Sequence, residues 1–354
     1  MHMADALLAP AVAATMYAAT AVTVGASVKT LKKDETTAKL PTMAVTSALV
    51  FAGQMINYTI PGTGSSGHLC GGMMLSALLG PQAGFLSMAV ILAIQALFFA
   101  DGGLLALGAN CWNMAFYGCF VGYYLLWRPI MRSKLFAGLG SKAAARAKIT
   151  LASVLGCVIT LQLGAFSVVL ETSASGITEL PFGAFVGIMQ PIHLAIGLVE
   201  GLITSAVLVF VYEARPELVM DAGTAPAENG RFSLKSTLVI LAVVVAIVGG
   251  GLSLFASSNP DGLEWSMFGN AEGGYSENMG LDEESYGISS GAAETAGAIQ
   301  EKTAFLPDYA FSGSDSAVGT TVSGLLGSAI VAAAAVLVCL SGGFFRRKKA
   351  GAKA

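Results

Sequence analysis

Long apolar runs dominate the sequence and restrict what the chain can fold into. A transmembrane helix needs roughly 17 to 25 consecutive, mostly apolar residues. Eight runs reach this length, at about 8–28, 40–56, 82–100, 110–127, 149–170, 191–212, 234–255 and 318–340. A ninth, 69–79, is shorter and ends at Gly80-Pro81. Since hydrophobic residues make up 55% of the chain and charged residues 12%, a soluble domain is excluded, and the sequence predicts an all-α polytopic membrane protein with nine helices.

The basic residues support this count of nine. Cytoplasmic loops of membrane proteins carry an excess of Lys and Arg. With nine helices, 18 of the 19 basic residues fall on one side of the membrane, and only Lys302 lies opposite. The 18 are Lys29, Lys32, Lys33, Lys39, Arg128, Arg132, Lys134, Lys142, Arg146, Lys148, Arg215, Arg231, Lys235, Arg346, Arg347, Lys348, Lys349 and Lys353. We therefore expect the N-terminus outside and the C-terminus in the cytoplasm.

The first two residues, Met1-His2, are chemically unusual. A large residue at position 2 generally blocks removal of the initiator methionine, so we expect a free α-amine on Met1. The first apolar segment has no basic flank before it, so we expect a retained helix rather than a signal peptide. The amine, the amide nitrogen of His2 and its Nδ1 can then wrap one metal ion. Ions that favour square-planar nitrogen ligands, chiefly Ni(II) and Cu(II), promote loss of the amide proton. The plainer alternative is that His2 is there by chance.

A Gly-rich loop carries the second of only three histidines. His68 follows the polar stretch 57–67, and the run 69–79 is too short for an upright span. Irregular backbone at membrane depth is tolerated only where it is buried in protein or lines a cavity. At a helix N-terminus the helix dipole keeps an imidazole neutral and able to coordinate a metal. His68 is therefore the predicted fourth ligand, with an ordinary external loop as the alternative.

Five further polar residues are candidates for orienting the ligands or lining a transport pathway. Asn57, Asp101 and Asn110 lie in the predicted external loops, where each can hydrogen-bond a metal-bound imidazole or cap a helix. His193 and Glu200 lie seven residues apart on one predicted helix. A carboxylate inside the membrane is a functional candidate by default, and hydrogen bonding within the bundle is the equal alternative.

The last third of the chain has a different organisation. Residues 214–232 are polar and contain Pro216 and Pro226, which predicts a cytoplasmic linker. Two predicted helices then flank an external segment, 256–317, that is acidic and rich in Gly and Ser. Its carboxylates, among them Asp282, Glu283 and Glu284, can attract cations, although a solvated loop is the simpler expectation for most of the segment.

Several motifs carry a resemblance to a known family. They are Met1-His2-Met3-Ala4-Asp5-Ala6-Leu7, the 61–72 stretch around Gly67-His68-Leu69-Cys70-Gly71-Gly72, the 95–110 stretch and the 191–204 stretch. Together they resemble the CbiM/NikM substrate-binding subunits of energy-coupling-factor transporters for cobalt and nickel. The remainder resembles the companion CbiN/NikN small subunit, and Pro260-Asp261-Gly262-Leu263-Glu264 reproduces the motif that names the PDGLE domain.

The resemblance implies an organisation and a set of partners. It implies a substrate-binding bundle of about seven helices in residues 1–213, a cytoplasmic linker in 214–232 and a two-helix unit with an external acidic loop in 233–354. The implied partners are a transmembrane coupling protein and cytoplasmic ATPase subunits in the lipid membrane, with no nucleic acid. The implied location is the cytoplasmic (inner) membrane of a bacterium or archaeon.

The resemblance also implies the ligand set and the cargo. The metal would be held by the Met1 amine, the backbone nitrogen and imidazole of His2, and the imidazole of His68, the same four nitrogens as above. The expected substrate is Ni²⁺ or Co²⁺, the latter for cobalamin synthesis, and no catalytic cofactor is expected. Planar nitrogen ligands favour nickel, while cobalt stays open.

Two other functions are alternatives. No Walker A pattern, Gly-x-x-x-x-Gly-Lys-Ser/Thr, occurs in the sequence, so another subunit would have to hydrolyse ATP and this chain is expected not to be an enzyme. An ion-coupled secondary metal transporter that uses Glu200 is the first alternative. An intramembrane metal-dependent hydrolase with His68, His193 and Glu200 is a weaker one, because the sequence has no His-Glu-x-x-His motif.

Overall fold

The computed structural model describes residues 1–31, 33–222, 231–271, 273–275, 278–279, 281, 286–311 and 317–351. The helices are α1 (Pro10–Thr30), α2 (Lys33–Gln54), α3 (Gly72–Leu79), α4 (Pro81–Phe99), α5 (Leu107–Asn110), the wider-turn helix Cys111–Trp127, α6 (Arg128–Arg132), α7 (Ser141–Ala174), α8 (Phe182–Ala214), α9 (Leu234–Gly250), α10 (Gly262–Phe268), α11 (Gly291–Thr303) and α12 (Ala317–Gly351). Two short strands, β1 (Tyr58–Ile60) and β2 (Ser65–Gly67), form an antiparallel hairpin. The prediction of an all-α polytopic membrane protein is confirmed.

Each of the nine apolar runs predicted from the sequence overlaps a helix. The run 69–79 becomes helical only at Gly72, so His68 lies four residues before α3 and the prediction of His68 at the N-terminus of that helix is wrong. In the described part of the chain, six helical stretches are long and apolar enough to cross a membrane: α1, α4, α7, α8, Leu234–Phe255 and Val318–Val338 of α12. The eight residues of α3 extend about 12 Å at the helical rise of 1.5 Å per residue, so this helix passes through only part of a bilayer. The number of membrane crossings therefore stays a prediction.

The helices run between two ends of the bundle. At one end, the basic end, Arg132 pairs with Asp221 and the Trp127 indole donates to the Met220 carbonyl. The last turn of α3 reaches this end, since the Met220 N–H donates to the Ala77 carbonyl over 2.8 Å. The opposite end, the N-terminal end, holds the start of the chain. The short α3 thus leads from the region of His68 toward the basic end.

Small residues let α7 and α8 pack backbone to backbone. A Cβ added at Gly201 would lie 2.6 Å from the Cα of Val154, and one added at Gly197 would lie 2.9 Å from the Cα of Val158. Small residues at helix contacts are typical of membrane bundles, where close approach replaces the hydrophobic driving force. This contact fixes the rotation of α8 and turns Glu200, which is 1% exposed, into the bundle.

The segment 256–317 is only partly the solvated loop expected from its composition. That expectation is wrong for Leu263, Met267 and Leu306, which are buried. Their burial occurs because α10 and the turn Pro307–Tyr309 pack on the bundle. In contrast, α11 has no buried residue. Lys32, the linker residues 223–230 and the acidic residues Asp282, Glu283 and Glu284 lie outside the described residues.

Candidate metal centre

The backbone that follows His68 is held by a buried carboxylate. The Cys70 N–H donates to Glu200 Oε2 over 2.9 Å, and the Gly71 N–H donates to Glu200 Oε1 over 2.8 Å. Gly71 has a φ of +85° and lies so close to Val50 that an added Cβ would be 2.4 Å from its Cγ1. Only glycine fits this turn without strain. Both carboxylate oxygens of Glu200 therefore accept hydrogen bonds from the backbone that follows His68 and hold that backbone in place.

The N-terminal segment is fixed one residue after His2. The Met3 N–H donates to Asn110 Oδ1 over 2.8 Å, and the Met3 carbonyl accepts from Asn110 Nδ2 over 3.2 Å and from the Gly103 N–H over 2.9 Å. Met3 is fully buried. The Asn110 amide therefore pairs with the main chain of Met3 in both directions and positions His2 through the backbone.

Three residues predicted as ligands converge at this end of the bundle. The Met1 amine lies 3.5 Å from His68 Nε2. The rings of His2 and His68 stack, with centroids 5.2 Å apart and planes inclined by 20°. A fourth group, Asp261, joins them: its Oδ2 lies 2.9 Å from the Met1 amine and 3.8 Å from His68 Nε2.

His2 is held by a carboxylate through the nitrogen that the predicted chelate would use. Its Nδ1 lies 3.1 Å from Asp101 Oδ1, and Asp101 also accepts a hydrogen bond from the Tyr309 hydroxyl. Burial lowers the pKa of His2 from 6.5 to about 4, although Asp101 acts to raise it. The imidazole is therefore neutral near pH 7 and has a lone pair for a metal ion. To join the Met1 amine on one ion, Nδ1 has to leave Asp101.

Asp261 was missed by the reasoning from sequence. Its Oδ1 accepts from the N–H groups of Leu263 and Glu264, at 2.8 and 2.9 Å, and so caps α10. Burial acts to raise the pKa of Asp261, but the Met1 amine and His68 more than offset this effect and hold the pKa well below its usual value. The signal in the sequence was the Pro260–Glu264 motif itself, which gave no indication of where it would dock.

The segment that carries Asp261 rests on the β-hairpin. The Ser66 N–H donates to the Pro260 carbonyl and the Ser66 hydroxyl to the Asn259 carbonyl, both over 2.8 Å. The Ser257 N–H donates to the Asn57 carbonyl over 2.7 Å. Asn57, predicted to contact an imidazole, thus contributes its main chain to this docking, and it also lines the cavity beside the site.

His193 lies directly behind the docked motif. Its Nδ1 lies 2.8 Å from the Met189 carbonyl, and a Cβ added at Gly262 would lie 3.3 Å from its Nε2. Its ring lines a small cavity together with Met1 and His68. The structure therefore brings His193 beside the predicted ligands, while Glu200 reaches them through the loop backbone.

An acidic cavity of about 720 Å³ opens beside the site. Its lining includes His2, His68 and five carboxylates, which are Asp5, Asp101, Asp261, Glu264 and Asp308. A cavity with this charge raises the local concentration of cations. Within the described residues, no three His, Cys, Asp or Glu side chains are already arranged around one metal position; the predicted ligand set also includes the Met1 amine and the His2 amide nitrogen.

Comparisons with known proteins cover both parts of the chain. The family model described as the cobalt uptake substrate-specific transmembrane region matches residues 2–218, and the PDGLE domain model matches residues 235–341. A relative from Archaeoglobus fulgidus, named as a fused NikMN, is 34% identical over 94% of this chain and 96% of its own length.

The names of two further matches refer to metal transport. The "Fused nickel transport protein NikMN" of Rhodobacter capsulatus is 31% identical over 94% of this chain and 95% of its own length. A crystal structure of a truncated transition metal transporter is 32% identical, covers 60% of this chain and 99% of its own, and superimposes with a TM-score of 0.48.

Proposed function

This chain belongs to the family of cobalt uptake substrate-specific transmembrane regions and carries a PDGLE domain, and on that basis we propose that it captures Ni²⁺ or Co²⁺ for import. The chain is a multi-pass membrane protein. The observation that carries the proposal is the convergence of the Met1 amine, His2 and His68 at one end of the bundle. The names of its relatives, which are nickel and cobalt transport proteins, support the substrate class.

The proposed capture replaces protons by a metal ion. The Met1 amine loses its third proton, the His2 amide loses its only one, and the neutral imidazoles of His2 and His68 supply the other two nitrogens. Because each coordinating nitrogen needs a lone pair that a proton would otherwise occupy, affinity falls as the pH is lowered. Asp101 holds the His2 ring until the ion arrives, and Glu200 keeps the peptide after His68 in place.

The chain would work with other subunits. We infer that a transmembrane coupling protein and cytoplasmic ATPase subunits drive the transport step, because the sequence has no Walker A pattern. The N-terminal end would face outward, and the basic end, with Arg132, Arg146 and Lys148, would face the cytoplasm. In this orientation the acidic cavity opens toward the source of the ion.

The capture step is tested by titrating the purified full chain with Ni²⁺ and with Co²⁺. We expect His68→Ala to weaken binding of the preferred ion by at least about tenfold, as expected for loss of a direct ligand. Excess Mg²⁺ should not compete, because it prefers oxygen ligands in an octahedral arrangement. Equal affinities for the parent and the His68→Ala variant would contradict the proposed site.

The energy source is tested separately, by nickel and cobalt uptake in cells. Deleting the coupling and ATPase subunits should abolish uptake through this chain. Uptake that persists without them, and that is lost in Glu200→Gln, would instead establish the ion-coupled transporter. The two outcomes differ because only an ion-coupled transporter moves the ion without the coupling and ATPase subunits.

A further inference from the structure

We propose that Asp261, from the C-terminal unit, is itself a ligand of the captured ion and supplies a carboxylate oxygen that the N-terminal ligand set lacks. The inference rests on the proposed function, since it adds a residue to the same site. It assigns the PDGLE motif a direct chemical role: its Asp contacts the ion, and its Gly lets the Asp approach.

The distances among three atoms carry the inference. The Met1 amine lies 3.5 Å from His68 Nε2 and 2.9 Å from Asp261 Oδ2, and the last two atoms lie 3.8 Å apart. The circle through three points at these separations has a radius of about 2.0 Å, and first-row ions such as zinc bind nitrogen and carboxylate oxygen at about 2.0 to 2.2 Å. One point in space is therefore at ligand distance from all three atoms.

Asp261 is oriented so that the oxygen that accepts from the Met1 amine does not also cap α10. Its Oδ1 accepts from the first N–H groups of α10, while Glu264 Oε2 accepts from the Asp261 N–H over 3.3 Å, which completes a capping box. This reciprocal arrangement fixes the side chain and directs Oδ2 at the Met1 amine and His68. The carboxylate is 20% exposed, so it faces the acidic cavity as well as the site.

Gly262 allows α10 to come this close. A Cβ at this position would lie 2.7 Å from Ile196 Cδ1 and 3.1 Å from His193 Cε1 on α8. Any larger residue would push the start of α10, and Asp261 with it, away from the Met1 amine. The hydrogen bonds from Ser66 to the Asn259 and Pro260 carbonyls hold the segment from its other side.

The charge balance also favours Asp261 as a ligand. A divalent ion on a neutral amine, two neutral imidazoles and one deprotonated amide has a net charge of +1. The Met1 and His68 side chains are only 5% and 10% exposed, and an uncompensated charge in such a place is costly. The Asp261 carboxylate brings the total to zero. When the ion binds, the Met1 ammonium releases one proton to water. Oδ2 of Asp261 then contacts the ion in place of an N–H group of the ammonium.

A carboxylate oxygen added to the four nitrogens as a fifth ligand changes which ions fit best. Four planar nitrogens alone suit Cu²⁺ and Ni²⁺, whereas carboxylate oxygen suits harder ions and higher coordination numbers. The C-terminal unit would thus extend the site toward Co²⁺ and toward nickel with more than four ligands. This effect is local and does not depend on the coupling subunits.

The test compares the full chain with Asp261→Asn and Glu301→Gln, each with Met1 as the first residue. Asn is as good a helix cap as Asp, so Asp261→Asn keeps α10 while removing the charged oxygen. Glu301→Gln removes one negative charge from the exposed face of α11, outside the lining of the acidic cavity, and serves as the matched control. Two quantities are measured with Ni²⁺ as the probe: the dissociation constant, and the X-ray absorption edge, which has a distinct shoulder when nickel is planar and four-coordinate.

The proposal expects the parent and Glu301→Gln to bind with similar affinity and without that shoulder. It expects Asp261→Asn to bind at least about tenfold more weakly and to acquire the shoulder. Unchanged or tighter binding by Asp261→Asn, or weaker binding with an unchanged edge, would overturn the assignment as a ligand. Absence of Ni²⁺ and Co²⁺ binding by the parent itself would instead overturn the proposed function.

Discussion

The two units of the chain reach the same site by different means. The N-terminal unit, residues 2–218, fixes its part through buried bonds: Met3 is fully buried and pairs with Asn110 in both directions, and Glu200 is 1% exposed. The C-terminal unit, residues 235–341, contacts the site at the start of the seven-residue helix α10, and its Asp261 is 20% exposed. The comparison indicates that one unit provides a rigid frame and the other an adjustable piece.

This difference follows from how deeply the contacts of each unit are buried. Buried polar groups that lose a partner cost more than exposed ones, because water cannot replace the lost hydrogen bond. The loop at His68 is therefore expected to tolerate change poorly, while the docking of α10 on the β-hairpin can be weakened in steps. The predictions below test this contrast, beginning with the largest effect.

Removing the buried carboxylate should be the most damaging single change. Glu200→Ala leaves the N–H groups of Cys70 and Gly71 without a partner, at about 1 to 3 kcal/mol each, so we expect a loss of about 2 to 6 kcal/mol in unfolding free energy. Glu213→Ala, on the same helix but in an exposed pair with Arg146, should cost less than about 1 kcal/mol. Equal unfolding midpoints for the two variants in detergent would contradict the rigid frame.

Docking of the N-terminus should depend on pH through His2. Burial lowers the pKa of His2 from 6.5 to about 4, so the undocked segment takes up a proton that the docked one does not. The docked state of the N-terminal segment is therefore most stable above about pH 6.5. Its stability falls as the pH is lowered toward 4, by on the order of 3 kcal/mol at most. Hydrogen exchange of residues 3–8, corrected for intrinsic rates, should rise over this range in the parent. If His2→Gln shows the same rise, another group is responsible.

Crowding the start of α10 should displace only the adjustable piece. Gly262→Ala places a Cβ 2.7 Å from Ile196 Cδ1, and overpacking of this kind costs about 1 to 3 kcal/mol. Proteolysis near residue 262 should therefore become faster while the unfolding midpoint of the bundle stays near that of the parent. Adding Ile196→Val, which removes the obstructing methyl, should restore protection, and Gly297→Ala on the exposed α11, with open space around it, should have no effect.

The sequence predicted the fold better than it predicted the site. Apolar length predicted the eight longer helical runs, because burial of apolar surface in lipid is a property of each segment by itself, and the distribution of basic residues supported the short ninth run. It did not predict the packing of Leu263, Met267 and Leu306 on the bundle, since that depends on contacts with segments about 200 residues away. Composition suggested a solvated loop there, and tertiary contacts overrode it.

Within the site, local chemistry could be read and distant pairing could not. The chelating potential of Met1-His2 is a property of adjacent atoms, so two neighbouring residues were enough to indicate it. The contact of Asp101 with His2, the bonding of Glu200 to the Cys70 and Gly71 amides, and the approach of Asp261 all join residues far apart in the chain. One sequence carries no direct signal for such pairs.

The central claim is that the Met1 amine is a metal ligand. It is tested most directly by an N-terminal extension, which moves the free amine away from His2 along the chain. The full chain with Met1 first is compared with a form that carries Gly-Ser before Met1. Two residues are used because a single one would place His2 third, where an amine, two amides and an imidazole form their own nickel site. The same two residues added after Ala354 serve as the control.

The account predicts that the N-terminal extension weakens Ni²⁺ binding at least about a hundredfold, or about 2.8 kcal/mol, while the C-terminal extension changes nothing. Equal affinity in all three forms would contradict it.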